Sequence, residues 1–212
     1  MITEIAQENW VIGNCSTKLK QIHLSDKNIA VYNREIDFLS EEINSLLQQN
    51  IELRASGNVR SITKAISKEL SPLHLPLLLR DVEQLLSLFD QVSNAKIFRF
   101  LLATINTNMC RRFHTDMNDL RMLCTYSGPG TLWLSEDNIN RNALNSCGDN
   151  ECIVLDESKI QHAKTGAAVI LKGAIYPEEG TKAIVHRSPT IEEYGGKRLL
   201  LRIDTNEFLN FH

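Results

Sequence analysis

Hydrophobic positions in the first ninety-odd residues recur every three or four residues, which is the period of an amphipathic helix. Three such stretches predict three helices. The first begins at Asp37, the second covers Val59–Leu70, and the third covers Leu77–Val92. A short run of strand-forming residues, Ile29–Tyr32, predicts one strand before them. We therefore expect residues 1–94 to form a mainly helical region.

The pattern changes after Asn94 to short apolar runs that are separated by turn residues. The predicted strands are Ile97–Ile105, Leu120–Tyr126, Thr131–Leu134, Cys152–Leu155, Ala167–Leu171, Lys182–His186 and Lys197–Ile203. Many short strands at this spacing are typical of a sandwich or barrel, and a double-sheet jelly roll fits. We predict an α+β fold in which residues 95–212 form a jelly-roll barrel, or double-stranded β-helix. Residues 1–94 are predicted to form a helical layer packed on it.

Composition narrows the class of protein. The 212 residues are 42% hydrophobic and 23% charged, close to the average of globular domains. The net charge of −3 provides no overall basic field that would favour nucleic acid or an anionic membrane. The apolar runs are too short to span a bilayer, and the first residues lack the pattern of a signal peptide. Five scattered cysteines suit reduced thiols, so we expect a cytoplasmic protein.

Candidate chemistry centres on the tripeptide His114-Thr115-Asp116. Alternate side chains of an extended segment share a face, so the histidine and the aspartate are predicted to point the same way. His186, in the sequence Val-His-Arg-Ser-Pro, is the candidate for a third ligand. Two histidines and one carboxylate, with the remaining positions open, are the ligands of non-haem Fe(II) oxygenases. We predict a metal site formed by these three residues.

Two arginines follow the Gly195-Gly196 turn on the last predicted strand. Arg198 and Arg202 are four residues apart, so they are expected to share one face of that strand. An arginine beside the open positions of a metal can hold a carboxylate through two parallel hydrogen bonds, which lysine does less well. The spacing alone leaves open which of the two arginines does so.

The order His-x-Asp, a long gap, His and then Arg resembles that of the Fe(II)/2-oxoglutarate-dependent dioxygenases, over about residues 97–204. The resemblance implies that His114, Asp116 and His186 bind Fe(II) and that 2-oxoglutarate is the co-substrate. An oxidation of an unidentified substrate is the activity that it implies.

The same resemblance assigns roles on the later strands. Arg198 matches the residue that pairs with the far carboxylate of 2-oxoglutarate, with Arg202 as the second candidate. Tyr126 lies on the strand after the aspartate, where some members of the superfamily place a tyrosine that also contacts the co-substrate.

Longer motifs are similar to those of a bacterial family catalogued as domain of unknown function 1826. They are Cys-Arg-Arg-Phe-His-Thr-Asp at 110–116, Thr-Tyr-Ser-Gly-Pro-Gly-Thr-Leu-Trp at 125–133 and Val-His-Arg-Ser-Pro at 185–189. This resemblance extends over most of the chain, and it implies no substrate.

Other interpretations of the same residues stay open. The three predicted ligands, with Cys110 as a fourth, can form a tetrahedral zinc site in a protein without enzymatic activity. The two histidines and the aspartate can also be purely structural groups within a barrel. Cys147 and Cys152 are a candidate redox pair.

Partners are less defined than ligands. Arg111, Arg112 and Arg187 flank the predicted ligands and would give the rim of the pocket a positive charge that favours an anionic partner. Arginines in such places are also commonly solvated or salt-bridged. The sequence assigns neither a prime substrate nor an oligomeric state.

Overall fold

The computed structural model describes residues 8–146, 148–177 and 180–205. It is a mixed helix-and-sheet fold with one large and one small β-sheet. Within these ranges the strands are β1 (Trp10–Gly13), β2 (Ile29–Tyr32), β3 (Glu52–Gly57), β4 (Phe98–Ile105), β5 (Leu120–Ser127), β6 (Leu132–Trp133), β7 (Gln161–His162), β8 (Ala168–Lys172), β9 (His186–Arg187) and β10 (Arg198–Thr205).

Helices occupy most of the remaining N-terminal chain and two short segments after β6. The α-helices are α1 (Ser40–Gln49), α2 (Val59–Leu70), α3 (Pro76–Ser93), α4 (Arg141–Leu144) and α5 (Asn150–Ile153). Short 3-10 helices lie at Ser16–His23, Asp37–Leu39, Ser71–Leu73, Glu136–Asn138, Glu157–Lys159 and Glu192–Tyr194. None of the helices in the described ranges is long and apolar enough to cross a membrane.

The large sheet contains seven strands in the order β1-β2-β8-β5-β10-β4-β3, and the small sheet contains β7-β6-β9. The β1 and β2 strands run parallel, and the other neighbours in the large sheet run antiparallel. The central strand β10 pairs with β4 along its whole length and with β5 on its other side. Arg202 on β10 consequently lies opposite Leu101 and Leu123.

The two faces of the large sheet have different roles. One face packs against the helices, because apolar residues of α2 and α3 such as Ile66 and Phe89 share a core with Met122 of β5 and Leu201 of β10. The alternate residues of β5 and β10 point to the opposite face, and this face carries the cleft described below. The large sheet therefore has one helix-covered apolar face and one face that carries the cleft.

Several predicted elements are confirmed. The α2 helix and the β2 strand have the predicted bounds, and α3 extends one residue beyond the prediction at each end. The first predicted helix differs at its start, because Asp37–Leu39 forms a 3-10 turn and α1 begins at Ser40. These helices were predictable because their apolar residues recur with the helical period and form one buried stripe.

Two predicted strands are wrong. Of Lys182–His186 only His186 lies in a strand, because the short strand β9 is His186–Arg187. Cys152–Leu155 was expected to be extended, but Asn150–Ile153 forms the short helix α5. The Asp149 carboxylate caps this helix by accepting a hydrogen bond of 3.2 Å from the Cys152 backbone N–H. Of the residues in this predicted strand, only Val154 forms a β-bridge, and its partner is Ile139.

The N-terminal region also contributes strands that the sequence did not predict. The β1 and β3 strands lie at the two edges of the large sheet, and β2 pairs with β8. Residues 1–94 therefore supply three strands to the same sheet as β4, β5, β8 and β10, in addition to their helices. A domain boundary at residue 94 stays a prediction.

Candidate metal centre

The two histidines of the predicted metal site lie on paired segments. The His114 backbone N–H donates to the His186 carbonyl at 3.0 Å, and the His186 N–H donates to the His114 carbonyl at 2.9 Å. This reciprocal antiparallel bridge places the imidazole rings side by side, with centroids 4.7 Å apart. His186 also begins β9 and lies opposite Trp133 in β6, so the small sheet fixes its position.

Asp116 completes the cluster from two residues after His114. Its Oδ1 lies 3.7 Å from His114 Nε2, and its Oδ2 lies 3.2 Å from His186 Nε2. The ligand atoms of all three residues lie within 4.8 Å of one another. The structure thus brings together the three residues that the sequence named, and their role as metal ligands stays a prediction.

Backbone carbonyls orient both rings. His114 Nδ1 lies 2.8 Å from the Arg112 carbonyl, and His186 Nδ1 lies 3.3 Å from the Ile184 carbonyl. A carbonyl can only accept, so each Nδ1 carries a proton and each Nε2 is the atom that faces the cluster. This arrangement is the usual support for a metal-binding histidine, since the outer hydrogen bond fixes the tautomer and the ring orientation.

The charges around Asp116 keep it ionised. Burial alone would raise the pKa of its carboxyl group, but the contact with the His186 imidazole and the positive charge of Arg121 hold that pKa well below its usual range. Arg121 donates from Nη1 to Asp116 Oδ2 and from Nε to Asp204 Oδ1. Burial and the neighbouring His186 lower the pKa of His114, which favours the neutral imidazole that binds a metal.

Arg198 is a buried cation with few hydrogen-bond partners among the described residues. Its side chain is 2% exposed, and its Nη2 donates a hydrogen bond of 3.0 Å to Thr125 Oγ1. Its Nε is buried without a hydrogen-bond partner, and no carboxylate pairs with it among the described residues. Burial lowers the pKa of its guanidinium to about 10, so it remains charged at neutral pH. A buried, unpaired charge of this kind points to an anionic ligand.

Arg198 and Arg202 line the same cleft as His114 and His186. Their shared strand face brings them there, as their spacing predicted. Arg202 differs from Arg198 because it has a carboxylate neighbour: its Nε lies 3.2 Å from Asp204 Oδ2, and about a third of its side chain is exposed. The apolar side chains of Leu123 and Leu200 form part of the wall.

Tyr126 corrects one expectation. It was predicted to contact the co-substrate, but its side chain is buried in the core on the helical face of the sheet. Its hydroxyl donates a hydrogen bond of 2.6 Å to Asp81 Oδ2 of α3. The reason is the alternation of β5, which places residues 122, 124 and 126 on the helical face and Arg121 and Leu123 on the cleft face.

Two hypotheses involve cysteines: a zinc site that includes Cys110, and a redox pair formed by Cys147 and Cys152. Cys110 is an exposed, free thiol that lines the cleft, but its Sγ is not in the described group of clustered ligand atoms. The candidate redox pair cannot be placed, because Cys147 lies outside the described residues.

Two of the three arginines predicted to line the rim of the pocket make contacts within the fold. Arg112 donates to the backbone carbonyls of Gly148, Ala143, Leu144 and Ser146. Arg187 lies over the Phe113 ring, with its Cζ 5.2 Å from the ring centroid.

Sequence reasoning missed Arg121 and Asp204, which connect the metal cluster to Arg202. The available signal was their position, because a charged residue within an otherwise apolar strand needs a partner when buried.

Comparisons with known proteins identify the family of the chain and a solved structure with the same fold. A family model described as "Protein of unknown function (DUF1826)" matches residues 13–204. No curated protein matches the chain. Among solved structures, the chain is similar to the 2-oxoglutarate complex of AtDAO1, dioxygenase for auxin oxidation 1 from Arabidopsis thaliana, with a TM-score of 0.54 and 7% identity. The alignment covers 93% of this chain and 92% of that one, and at this identity it shows a shared fold.

The chain is also similar to two further solved structures, each with a lower TM-score of 0.45. One is a Pseudomonas putida prolyl-4-hydroxylase, which is 9% identical, with 89% of this chain and 96% of that chain covered. The other is a full-length Neurospora crassa protein in complex with alpha-KG, which is 14% identical, with 97% and 86% covered. We base the fold assignment on the Arabidopsis structure alone.

Proposed function

The chain belongs to the family of proteins of unknown function designated DUF1826, and we propose that it is an Fe(II)/2-oxoglutarate-dependent oxygenase. One observation carries the proposal. A His/Asp/His ligand set and a buried guanidinium, which has no carboxylate partner among the described residues, belong to the same site. Such a site suits a metal ion and an organic acid bound side by side.

The fold supports the proposal. The Arabidopsis dioxygenase with which the chain shares its fold is a complex with 2-oxoglutarate. We infer that the large and small sheets are the two sheets of a double-stranded β-helix, and that the metal centre lies where they meet. The bridge between His114 and His186 extends the small sheet, whereas Arg121 and Arg198 belong to the large one.

The donor set fits Fe(II). His114 and His186 would bind through Nε2, and Asp116 would bind through Oδ1, because Arg121 occupies Oδ2. Three protein ligands leave positions open for a co-substrate and oxygen. When bound, the iron and 2-oxoglutarate would supply the oxidation of a substrate C–H bond.

The chain's own residues bind and orient. We assign Arg198 to the far carboxylate of 2-oxoglutarate, since Arg202 already has Asp204 as a partner. The Thr125 hydroxyl accepts a hydrogen bond from Arg198 and holds its guanidinium in place, and the Arg198 Nε, which has no partner among the described residues, can donate to a carboxylate. Leu123 and Leu200 exclude water from the cleft, which strengthens these charge interactions.

The test is metal analysis of anaerobically purified protein with and without 2-oxoglutarate. We expect stoichiometric Fe(II) binding and a weak visible metal-to-ligand charge-transfer band that appears only when 2-oxoglutarate is added. Absence of the band in protein that has bound Fe(II), together with no binding of 2-oxoglutarate in calorimetry, would overturn the proposal.

A zinc-binding protein without enzymatic activity is the second candidate. It is favoured by Cys110, an exposed thiol that lines the same cleft as the three predicted ligands. The same metal analysis separates the two functions, because this candidate predicts tightly bound zinc, no effect of 2-oxoglutarate, and loss of metal in Cys110→Ala.

A further inference from the structure

Next to the metal cleft lies a second concave site with an unusual concentration of arginines. We call it the arginine groove, defined by Arg54, Arg99, Arg121 and Arg202. Ser56 and the backbone of Ala55 and Phe100 complete its lining together with one carboxylate, that of Asp204.

Strand register gathers these arginines on one face of the large sheet. Arg54 of β3 and Arg202 of β10 both lie opposite Leu101 of β4. In the neighbouring row, Arg99 of β4 lies opposite Asp204, which in turn lies opposite Arg121 of β5. Four adjacent strands, spaced about 4.8 Å apart, therefore each carry one arginine, with Leu101 or Asp204 between the two arginines of a row.

Carboxylates within the structure do not neutralise this groove. Asp204 is shared by Arg121 and Arg202, and Arg54 pairs with the exposed Glu52 at 2.7 Å. Arg99 is exposed and has no ion-pair partner among the described residues. The three carboxylates Asp204, Glu52 and Asp116 thus offset four guanidinium groups among the described residues, so the groove retains an excess of one positive charge, on the exposed Arg99.

The groove is continuous with the metal cleft. Arg121 and Arg202 line both sites, and the ion pairs Asp116–Arg121, Arg121–Asp204 and Arg202–Asp204 link a predicted metal ligand to the groove wall. A molecule held in the groove by one end can consequently extend toward the metal centre.

We propose that the arginine groove binds an anionic group, phosphate or carboxylate, of a small prime substrate whose remaining part reaches the metal centre. The role as prime substrate rests on the proposed oxygenase function, whereas the anion site itself does not. Arginine suits both groups because its planar fork donates two parallel hydrogen bonds. A small molecule fits better than nucleic acid, since the chain has a net charge of −3 and the groove spans only four strands.

The test is calorimetric titration of the metal-free protein, at low ionic strength, with inorganic phosphate and separately with citrate. We expect saturable binding of at least one anion, and the tighter of the two assigns the group that the substrate carries. Arg99→Gln and Arg54→Gln should each weaken this binding about tenfold, the effect of losing a charge-assisted hydrogen bond. Arg80→Gln is the matched control, because Arg80 is an exposed arginine on α3, which packs on the other face of the sheet.

Three results would overturn the proposal. They are the absence of binding by either anion, equal binding by wild type and both groove variants, and binding of a short single-stranded oligonucleotide when neither anion binds. A parallel 2-oxoglutarate titration of the Fe(II)-loaded protein keeps the two proposals separate. If 2-oxoglutarate fails to bind but phosphate or citrate still binds through Arg99, the oxygenase function fails and the anion site stands. The reverse result overturns the anion site alone.

Discussion

At the residue scale, the proposed metal centre depends on groups that orient its predicted ligands as well as on those ligands. Arg121 donates a hydrogen bond to Asp116 Oδ2 and so fixes the orientation of the carboxylate, whose Oδ1 lies 3.7 Å from His114 Nε2. His114 and His186 present Nε2 only because carbonyls accept from their Nδ1 atoms. The predicted ligands are therefore oriented without a metal, which would lower the cost of binding one.

The first residue-scale prediction concerns metal binding. His114→Ala and His186→Ala should each reduce Fe(II) occupancy strongly, because two ligands hold the ion far more weakly than three. Far-UV circular dichroism should stay close to that of wild type, since neither ring belongs to the apolar clusters of the core. Metal content per chain after desalting measures the effect. Full occupancy in both variants would place the metal elsewhere.

The second residue-scale prediction concerns the co-substrate. Arg198→Met keeps the apolar stem but removes the guanidinium, so it should weaken 2-oxoglutarate binding about a hundredfold, from a loss of about 3 kcal/mol. Fe(II) affinity should stay within about twofold of wild type. Calorimetry of the Fe(II)-loaded protein measures both.

Arg202→Met is the comparison for Arg198→Met. Its guanidinium already pairs with Asp204, so the substitution should affect 2-oxoglutarate much less. A large loss in Arg202→Met with none in Arg198→Met would move the co-substrate site along β10 from Arg198 to Arg202.

At the scale of elements, helix α3 is fastened to the large sheet by a buried polar network. Arg34 donates two hydrogen bonds to the Asp81 carboxylate, at 2.6 and 2.8 Å, and a third to the Gly166 carbonyl. Tyr126 donates to the same carboxylate from β5. Asp81 is 3% exposed, so the three hydrogen bonds to its carboxylate are largely shielded from water.

This network yields the third prediction. Asp81→Ala should lower the free energy of unfolding by about 3–5 kcal/mol, because it leaves the Arg34 guanidinium buried without its partner. Tyr126→Phe should cost about 1 kcal/mol, since one hydrogen bond is lost. Urea unfolding monitored by circular dichroism measures both. Tyr126→Phe should also leave 2-oxoglutarate affinity unchanged, and a large loss there would contradict the placement of Tyr126 on the helical face.

Sequence patterns predicted some of these elements better than others, for physical reasons. The α2 and α3 helices repeat their apolar residues against one sheet face, so their period is visible locally. The β3 edge strand alternates exposed Glu52, Arg54 and Ser56 with half-buried neighbours and has no long apolar run to reveal it.

The residues of the candidate metal centre also differ in how far the sequence predicts them. His114 and Asp116 were predictable because their relation is local alternation. Arg121 and Asp204 were not, because their pairing joins residues 83 positions apart through the register of β5 and β10. That register is a property of the assembled sheet rather than of either strand.

At the scale of the whole molecule, the N-terminal region is joined to the rest by the sheet itself. The β2 strand pairs with β8, and β3 pairs with β4. Residues of α2 and α3 share the largest apolar core with β5 and β10. The C-terminal region thus meets its N-terminal partner through hydrogen bonds at two strand edges and through one apolar face.

The fourth prediction follows from these three contacts. A fragment of residues 95–212 would expose the unpaired edges of β4 and β8 and an apolar face containing Met122 and Leu201, so it should aggregate. The fraction of fragment in the soluble phase after expression, followed by gel filtration, measures this. Co-expression of residues 1–94 as a separate chain should restore solubility, because it supplies both missing strand partners and the helical cover. A soluble, monomeric fragment with native-like circular dichroism would instead show that the C-terminal region folds by itself and that the shared sheet is not required.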